Sequence, residues 1–491
     1  MLVEVALFVV LVFLVWQVLK KPANYPPGRW GLPLVGYVPL PGPTFEDHLR
    51  NLYKKHGNVY LWRMGTQTMV FVHDYQLLRD AFNRMEFTDR PNWEMFKFNE
   101  VAAYGVVSSN GALWHNNRRF SLRQLRDLGM GKSRLVDAVQ RQAAWLAGVL
   151  AKQAGRPAPV PHALKIAIVN VLWQLVGGRE FDVEDPKLKE FEDLTKAVLD
   201  SEASLAIQDF LPWLRYLMPT FLFKRLIKQD VLDVTKKGFC EFFYEEMDEH
   251  RATLKPGPPR DLIDGYLMEM DNKKDDPDTT CSKKDLAFLL IDLFFAGSET
   301  TTSTLTWLFY YLATHPRVQD KLQAEIDLVL PEGQQATLDD KSRLPYTEAV
   351  IHETLRKSAL VPIGLQHVAE KDTTVGGHFI PKGAVLNGAI FTIHHDTRYW
   401  DNPDEFLPER WLNDEGKFVT KKEGFLPFGI GKRQCLGESL ARMELLVFTT
   451  TLLQRLSFAS PQGKTLNLHH DTKNPFVHLP LVQDILVSVR A

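Results

Sequence analysis

The chain has 491 residues, 45% of them hydrophobic and 24% charged, and carries a formal net charge of −2. Glycine and proline occur at ordinary frequencies, which excludes collagen-like, low-complexity and disordered classes, and the balanced charge gives no reason to expect nucleic acid as a partner. Its three cysteines, an odd and sparse number, argue against a disulfide framework and for a reducing compartment.

The amino-terminal segment differs from the rest of the chain. Every residue from 5 to 16 is apolar, and Lys20 and Lys21 follow the run. A helix over residues 2–19 would be about 27 Å long, close to the ~30 Å of a bilayer core. A cleaved signal peptide would need a basic start and a small-residue cleavage site, which are missing here, and a buried core helix is the other alternative. Residues 1–21 are therefore predicted to be a signal-anchor transmembrane helix, with the lysines on the cytosolic side.

The remaining chain divides into a proline-rich hinge, 22–44, and one large domain, 45–491. Helical periodicity predicts long helices over 45–56, 113–127, 133–153, 160–177, 186–206, 228–254, 283–314, 316–329 and 345–358. Runs of β-branched and aromatic residues predict strands over 59–66, 68–72, 373–380 and 384–393. No internal repeat is found. The predicted class is mostly α with a small β part, an α+β fold.

The helix predicted over 283–314 has an unusual middle. It begins with a capping-box-like pair, Ser282 and Asp285, and ends at His315, which precedes a proline. Its middle reads Ala296-Gly297-Ser298-Glu299-Thr300-Thr301. Glycine costs about 1 kcal/mol relative to alanine inside a helix, so the small residues suggest that a flat ligand approaches here. A solvent-facing notch with a glycine kink is the plain alternative.

A loop with one cysteine precedes the last long apolar helical pattern. It reads Phe428-Gly429-Ile430-Gly431-Lys432-Arg433-Gln434-Cys435-Leu436-Gly437 and is called the cysteine loop below. The Cys435 thiol would lie at a helix amino terminus, where N–H groups and the macrodipole favour the thiolate. A lone cysteine cannot build a zinc site, and no Cys-x-x-Cys pair is present. Cys240 and Cys281 match no motif and are interpreted as structural thiols.

Five residues of the cysteine loop carry a family resemblance. Phe428, Gly431, Arg433, Cys435 and Gly437 match every fixed position of the haem-ligand signature of the cytochrome P450 monooxygenases. The chain resembles that family over essentially its whole length. The resemblance implies the cytochrome P450 fold, with O2 as co-substrate and a haem whose iron is the metal held by the Cys435 thiolate.

The resemblance also implies roles for residues outside the axial ligand. Residues 296–301 resemble the family's oxygen-activating motif, in which Thr300 donates a hydrogen bond and Glu299 helps relay protons. The other expected haem-binding residues are Trp114, Arg118, His367, Arg433, Phe428 and Ala296. For Trp114 and Arg118, an ordinary surface position on a basic helix is the alternative.

Two charged groups follow from spacing and resemblance together. Glu353 and Arg356 lie at i and i+3 of a predicted helix, which alone is a weak signal. The resemblance joins Arg410 to them as a buried structural network beneath the cysteine loop.

Arg119, Arg123 and Arg126 form one basic stripe near Arg118. This basic stripe is interpreted either as a solvated face or as a docking surface for an acidic electron donor, aided by Lys432.

By resemblance, the substrate pocket draws on residues 97–113, 200–210, 292–300, 361–366 and 474–476. Its expected lining is largely apolar and includes Phe98, Val101, Phe295, Ala296, Val361, Leu365 and Phe476. Each of these is also an ordinary core residue. The segment 210–226 is unusually apolar and aromatic, which predicts contact with the bilayer interface.

The residues at 120–132 are most typical of the microsomal animal class that oxidises steroids and foreign compounds, with arthropod members nearest. The resemblance implies a single-pass endoplasmic-reticulum protein whose cytosolic domain hydroxylates or epoxidises steroids, terpenoid hormones or xenobiotics. Because no nucleotide-binding motif is found, electrons are expected from NADPH through a separate cytochrome P450 reductase, with cytochrome b5 as a further candidate. The alternatives are a haem-thiolate isomerase or dehydratase of fatty-acid peroxides and a non-enzymatic membrane haem sensor. The intact Glu299-Thr300 pair favours the monooxygenase.

Overall fold

A computed structural model of the chain describes residues 20–38, 44–97, 100–130, 133–331, 333–472 and 476–490. The predicted transmembrane helix lies outside these residues except for its last two positions. Phe98 and Asn474 of the predicted substrate pocket also lie outside them. Among the described residues, none of the helices combines the length and the apolar character needed to cross a membrane.

Helices make up most of the described chain. In chain order they are α1 (Phe45–His56), α2 (Tyr75–Asn83), α3 (Glu94–Lys97), α4 (Gly111–Asp127), α5 (Ser133–Lys152), α6 (Ala163–Val176), α7 (Pro186–Leu199), α8 (Glu202–Phe210), α9 (Leu214–Leu217), α10 (Thr220–Leu226), α11 (Gln229–Thr253), α12 (Leu262–Asn272), α13 (Lys283–Thr314), α14 (Pro316–Val329), α15 (Pro345–Ser358), α16 (Ile390–His394) and α17 (Glu438–Arg455). Short 3₁₀ helices cover Met85–Phe87, Leu338–Arg343 and Pro408–Trp411. The predicted bounds of α1, α13, α14 and α15 are confirmed.

Strands form a small β part, as predicted. They are β1 (Gly28–Arg29), β2 (Val59–Met64), β3 (Gln67–Val72), β4 (Ala158–Pro159), β5 (His367–Val368), β6 (Thr373–Val375), β7 (His378–Ile380), β8 (Val385–Gly388), β9 (Leu456–Ala459) and β10 (Asp484–Val489). The largest sheet has the order β1-β2-β3-β8-β5, a second has the order β4-β10-β9, and β6 and β7 form a hairpin. Because Gly28 pairs with Leu61 in parallel register, residues of the predicted hinge join the main sheet.

Two predicted elements differ from the observed ones. The helix predicted over 186–206 is divided into α7 and α8, and the carbonyl of Asp200 at the break accepts a hydrogen bond from Lys228 Nζ (2.7 Å). The strand predicted over 384–393 ends at Gly388, opposite Val72, because β3 also ends there. The chain then forms α16. Helix α12 was not predicted; it begins at Asp261, whose side chain accepts the N–H of Asp264.

Helix α13 runs through the main hydrophobic core. Its first turn is capped by Ser282, whose hydroxyl accepts the N–H of Asp285 (3.0 Å), as predicted. It packs against α6, α11 and α17. Phe294, in the middle of α13, packs against Trp173 of α6 with 4.5 Å between the ring centroids. This packing surrounds the middle of α13 with fixed elements on one side and leaves the opposite side for the candidate site.

Candidate active site

The cysteine loop is a tight turn that leads into α17. Gly429 and Gly431 have φ values of 71° and 85°, which favour glycine. A Cβ atom at position 431 would lie 2.2 Å from the carbonyl oxygen of Phe82, so only glycine fits there. The N–H of Cys435 donates to the carbonyl of Phe428 (2.9 Å) and closes the turn. The sequence pattern therefore has a direct steric cause.

The Cys435 side chain is exposed, in a recess where the surrounding protein still removes much of the water from the thiol. Burial raises the pKa of this thiol, and the nearby Glu438 carboxylate acts in the same direction. The backbone N–H groups of Gly437 and Glu438 and the charge of Arg118 lower it. The helix terminus thus favours the thiolate, as predicted, but desolvation outweighs it. A metal ion bound to the sulfur would reverse this balance.

Arg433 is a buried residue of the loop, and neighbouring groups hold its side chain. Its Nε donates to the carbonyl of Thr88 (2.8 Å), and its Nη1 donates to that of Val106 (3.2 Å). Its guanidinium carbon lies 4.1 Å from the centroid of the Trp114 ring. Burial, followed by repulsion from Arg90, lowers the pKa of Arg433 to about 8. The surrounding protein therefore makes the charged state of Arg433 less favourable than it is in water.

Arg118 and His367 approach the same region from two other elements. Arg118 of α4 donates from Nη2 to the carbonyl of Gln434 (2.7 Å) and so joins α4 to the cysteine loop. The Nδ1 of His367 lies 2.6 Å from the carbonyl oxygen of Phe87, and its ring stacks on Phe82 at 3.9 Å. Burial, followed by repulsion from Arg90, holds the pKa of His367 well below its ordinary value. His367 is therefore a neutral donor.

The groups around the loop fit a ligand with negative charges. The buried Nε1 of Trp114 has no hydrogen-bond partner among the described residues. Burial lowers the pKa values of Arg90, Arg118 and Arg433, and repulsion from Arg90 and Arg118 lowers that of Arg433 further. Asp89 and Asp292 offset only part of this for Arg433. Haem propionates would neutralise these cations and accept the tryptophan N–H, so the residues present fit a haem whose iron Cys435 would hold.

On α13, Ala296 and Thr300 share one helix face because they are four residues apart. Ala296 is exposed, and the Thr300 hydroxyl donates to its carbonyl (2.7 Å). The next residue, Thr301, is buried and donates to Glu444 Oε2 of α17 (3.2 Å). Burial raises the pKa of Glu444 to about 8. Helix α17, which follows Cys435, is thus bonded to α13 next to Thr300.

Glu299 and Gly297 face another element. The Glu299 carboxylate forms an ion pair with Lys165 Nζ of α6. A Cβ atom at Gly297 would lie 2.9 Å from both Cδ atoms of Leu172, also on α6. Gly297 therefore faces α6, and a larger side chain there would have to displace the end of the Leu172 side chain. Glu299 lies on a different side of α13 from the face of Ala296 and Thr300.

Two further residues shape the site and were not singled out in the sequence. Asp292 of α13 accepts the N–H groups of Val106 and Val107 (2.7 and 2.8 Å), and burial raises its pKa to about 7. Arg90 donates from Nη1 to the carbonyl of Gln366 (2.8 Å) and is buried. An acidic residue inside an apolar helical run could have indicated Asp292. No spacing or periodicity marks Arg90.

The predicted buried network is confirmed. Arg356 makes two hydrogen bonds with the Glu353 carboxylate (2.8 and 2.9 Å), and Arg410 Nε adds a third (3.1 Å). The network reaches the cysteine loop through His394, whose Nδ1 lies 3.1 Å from the Arg356 carbonyl. The Nε2 of His394 accepts the N–H of Leu426, two residues before the loop (2.9 Å).

The predicted pocket residues differ in exposure. Val101 is 97% exposed, and Leu365 is 43% exposed. Phe295, Val361 and Phe476 are partly buried. Val101 and Leu365 therefore lie at the surface. The other three residues lie between the surface and the core, where they could line a pocket.

Comparisons with known proteins give one consistent result. Residues 26–483 match the family profile described as Cytochrome P450. Cytochrome P450 2L1 of Panulirus argus is 40% identical over 477 residues, which cover 96% of both chains. Cytochrome P450 2J2 of Homo sapiens is 35% identical over 460 residues, 91% of this chain and 88% of the relative. Farnesoate epoxidase of Bombyx mori is 34% identical over 474 residues, 95% of this chain and 94% of the relative.

Proposed function

The chain belongs to the cytochrome P450 family and is a haem-thiolate monooxygenase, and from that premise we propose that it oxidises a lipophilic substrate with electrons from NADPH through a separate reductase. Hydroxylation and epoxidation are both within this reaction class. The observation that carries the proposal is the exposed Cys435 thiol in a recess bordered by buried, mutually repelling arginines.

When bound, the haem supplies O2 activation, and its thiolate ligand favours O–O cleavage. Arg118, Arg433 and the Trp114 N–H are proposed to bind the propionates. The Nδ1–H of His367 is used by the Phe87 carbonyl, so His367 would donate to a propionate only from a protonated Nε2. The exposed face of Ala296 is proposed to lie against the flat ring, and Phe428 to pack beside the thiolate. The guanidinium of Arg442 lies 4.8 Å from the Phe428 ring and fixes its position.

Thr300 is proposed to hold a proton at its hydroxyl, on the open face of α13. That hydroxyl bonds to the Ala296 carbonyl (2.7 Å), so it could instead donate to a ligand on that face of α13 at the cost of one local hydrogen bond. Glu299 is proposed to pass protons from solvent. Because Glu299 pairs with Lys165, this role requires the ion pair to open.

Electron delivery is proposed at the surface beside the cysteine loop. Arg119, Arg123 and Arg126 are all exposed on α4, and Arg123 also pairs with Glu269 (3.3 Å). Lys432 of the loop is exposed as well. Because Arg118 bonds to the loop, the stripe lies next to it. An acidic reductase surface, or cytochrome b5, would complement these charges.

Membrane attachment to the endoplasmic reticulum is proposed through residues 1–21 and through a surface that we call the apolar patch. The apolar patch consists of Leu32, Leu34, Tyr216, Leu217 and Phe221, which are 52–75% exposed. Trp213 joins its two segments, since its Nε1 donates to the Leu34 carbonyl (3.0 Å). Exposed apolar side chains from two segments support contact with a lipid surface.

The substrate is proposed to be a steroid, a terpenoid hormone or a lipophilic foreign compound. Support comes from the apolar character of Phe295, Val361 and Phe476 and from the insect relative named as an epoxidase of farnesoate. A panel of steroids, terpenoid acids and xenobiotics, each incubated with the enzyme, reductase and NADPH, would identify the class. Product formed without reductase would contradict the proposed electron source.

The reduced carbon monoxide difference spectrum tests the axial ligand. We expect the Soret band of a thiolate–carbonyl complex in the purified protein. Cys435→Ser should remove that band, and the matched change Cys240→Ser should leave it intact. A thiolate-type band that survives in Cys435→Ser would contradict the assignment of Cys435.

A further inference from the structure

We propose that Glu46, His470 and His478 form a binding site for a divalent transition metal, with Zn²⁺ as the best fit. This cluster lies outside the candidate active site and uses none of its residues. Two imidazoles and one carboxylate are a typical zinc ligand set. Three protein ligands would leave one coordination position for water.

The ligand atoms already stand close together. Glu46 Oε1 lies 3.0 Å from His478 Nε2 and 3.7 Å from His470 Nε2. All three ligand atoms lie within 4.8 Å of one another. Ligands at about 2.0–2.2 Å from one zinc ion are typically separated by about 3–4 Å. Shifts of a few tenths of an ångström would therefore complete the site.

The backbone brings the ligands together from distant parts of the chain. Glu46 is in the first turn of α1, while the two histidines come from the carboxy-terminal region. His470 pairs with Pro480 in an antiparallel bridge, and the N–H of Asp471 donates to the carbonyl of Leu479 (2.8 Å). The imidazoles stack at 3.8 Å between centroids with an interplanar angle of 13°. The cluster is thus part of a defined structure.

The hydrogen bond at the other nitrogen of His478 favours a metal ligand. His478 Nδ1 lies 3.2 Å from the carbonyl oxygen of Ser358, which can only accept, so Nδ1 carries a proton. In the neutral imidazole, Nε2 then presents a lone pair to the carboxylate oxygen of Glu46. A proton on Nε2 or a metal ion satisfies both atoms at this 3.0 Å separation, and a bound metal would take the place of that proton. An Nδ1–H bonded to a backbone carbonyl is also the usual arrangement of a metal-binding histidine.

Burial favours a specific site while still allowing access. Glu46 and His478 are 4% and 1% exposed, so few alternative ligands reach them. The His470 side chain is 16% exposed and provides the approach from solvent.

A second cluster of similar composition does not fit a metal. Its members, His250, Asp261 and Asp264, also lie close together and are buried. However, Arg260 already binds the Asp264 carboxylate through two nitrogens, and the side chain of Asp261 caps α12. The carboxylates of that cluster are already bound by Arg260 and by the start of α12. A metal at Glu46 would bind its carboxylate without displacing an arginine.

A metal at this site would join the start of the domain to its end. The carbonyl of His478 accepts the Trp307 Nε1–H of α13 (2.9 Å), and the N–H of His478 donates to the carbonyl of Leu360 (2.8 Å). Phe476, a predicted pocket residue, is two positions away. Metal binding would therefore restrain α1, the 476–480 segment and the central helix together, and raise the thermal stability of the chain.

Metal content tests the proposal directly. The full-chain holoenzyme is dialysed against a zinc buffer of micromolar free Zn²⁺, and zinc per protein chain is measured by atomic emission. We expect about one zinc per chain and a rise in Tm with zinc. Zinc K-edge absorption should show imidazole scattering from two histidines.

Variants separate this site from adventitious binding. His470→Gln and Glu46→Gln should each weaken zinc binding at least tenfold and abolish the zinc-dependent rise in Tm. His469→Gln is the matched control, because His469 is the exposed neighbour outside the cluster, and it should bind zinc like the parent. Haem absorbance reports that each variant is folded. No bound zinc in the parent, or zinc binding of parental strength in His470→Gln, would overturn the proposal.

Discussion

At the residue scale, the candidate active site depends on which side chains can reach a ligand. Thr300 is the clearest case, because its hydroxyl lies on the open face of α13 and donates to the Ala296 carbonyl in the present arrangement. Thr306, six residues further along α13, makes the same bond to the Thr302 carbonyl (2.9 Å) but is buried. The two threonines differ in access rather than in local geometry.

Thr300→Ala should uncouple NADPH oxidation from product formation. We expect the product formed per NADPH to fall about tenfold or more and peroxide to rise, because a positioned proton donor typically contributes about 100-fold or more to a step. Thr300→Ser, which keeps a hydroxyl, should restore coupling, and Thr306→Ala should not affect it. Peroxide and product yields measure this, and equal coupling in Thr300→Ala and the parent would reject the role of Thr300.

Asp292 links protonation to the order of the segment next to the loop. Burial raises its pKa to about 7, against about 3.9 in an unfolded chain. The folded state therefore binds more protons between about pH 4 and 7, and stability from this group falls as the pH rises through that window. Asp292→Asn keeps an oxygen for the N–H groups of Val106 and Val107 but does not titrate. We expect its Tm relative to the parent to rise from pH 5 to pH 7.5. Parallel Tm profiles would contradict the shift.

Glu353 stabilises the fold in the ionised state. Although burial alone would raise its pKa, Arg356 and Arg410 hold it below the ordinary value. Its contribution is therefore present above about pH 4.3 and is lost as the pH falls further. Glu353→Ala leaves two arginines unpaired and should cost about 3–5 kcal/mol, with loss of haem.

The control for that change is Glu415→Ala, in the same region of the chain. Among the described residues Glu415 forms an ion pair with Lys417 alone, and both side chains are more than two-thirds exposed. We expect this variant to keep a parental Tm and haem content. Haem absorbance and Tm are measured on both variants to test whether the network stabilises the fold and retains haem. A Glu353→Ala protein with parental haem content would show that the network is not needed for haem retention.

At the element scale, helices with local signals at both ends could be predicted and those bounded by tertiary contacts could not. Helix α13 follows the Ser282 cap, and α14 begins at Pro316, where a proline is favoured. By contrast, the break between α7 and α8 involves a hydrogen bond from Lys228, far along the chain. Likewise, the end of β8 depends on where β3 ends. Ends of helices and strands that depend on distant residues leave no signal in the local sequence.

The same distinction applies to the candidate site. The cysteine loop is a local turn whose glycines have steric causes, so a motif could indicate it. The cation cluster is not local, because Arg90 meets residues near 365 and Asp292 meets residues near 106. The partner of Glu299 is Lys165, on α6, and nothing near either residue in the sequence predicts that pair.

Gly297 tests how α13 and α6 fit together. Gly297→Val should overpack the contact with Leu172 and cost about 1–3 kcal/mol. If the glycine serves this helix contact, Leu172→Ala should recover part of the loss in the double variant, because it removes the atoms that the new side chain meets. The Tm values of both single variants and the double variant form a cycle. Strictly additive losses would show that Gly297 serves something other than α6.

At the scale of the whole molecule, a nearly neutral chain carries two specialised surfaces. The basic stripe lies on α4 beside the cysteine loop, and the apolar patch joins the start of the described chain to the segment after α8. The net charge of −2 hides the stripe, since acidic residues elsewhere balance it. Composition alone therefore describes an ordinary globular protein, while the distribution of its residues supports membrane contact and a charged partner.

Binding to lipid vesicles separates the two proposed membrane contacts. A chain without residues 1–21 should still bind vesicles through the apolar patch. Replacing Tyr216, Leu217 and Phe221 by serine in that chain should weaken binding at least tenfold, because burying each such side chain is typically worth about 1.5–3 kcal/mol. The matched control replaces three exposed apolar residues elsewhere, Val234, Leu328 and Val482, and should bind as before. If the apolar-patch serine variant binds vesicles with the parental affinity, another surface of the chain makes that contact. If the chain without residues 1–21 does not bind vesicles at all, the apolar patch is not a membrane contact.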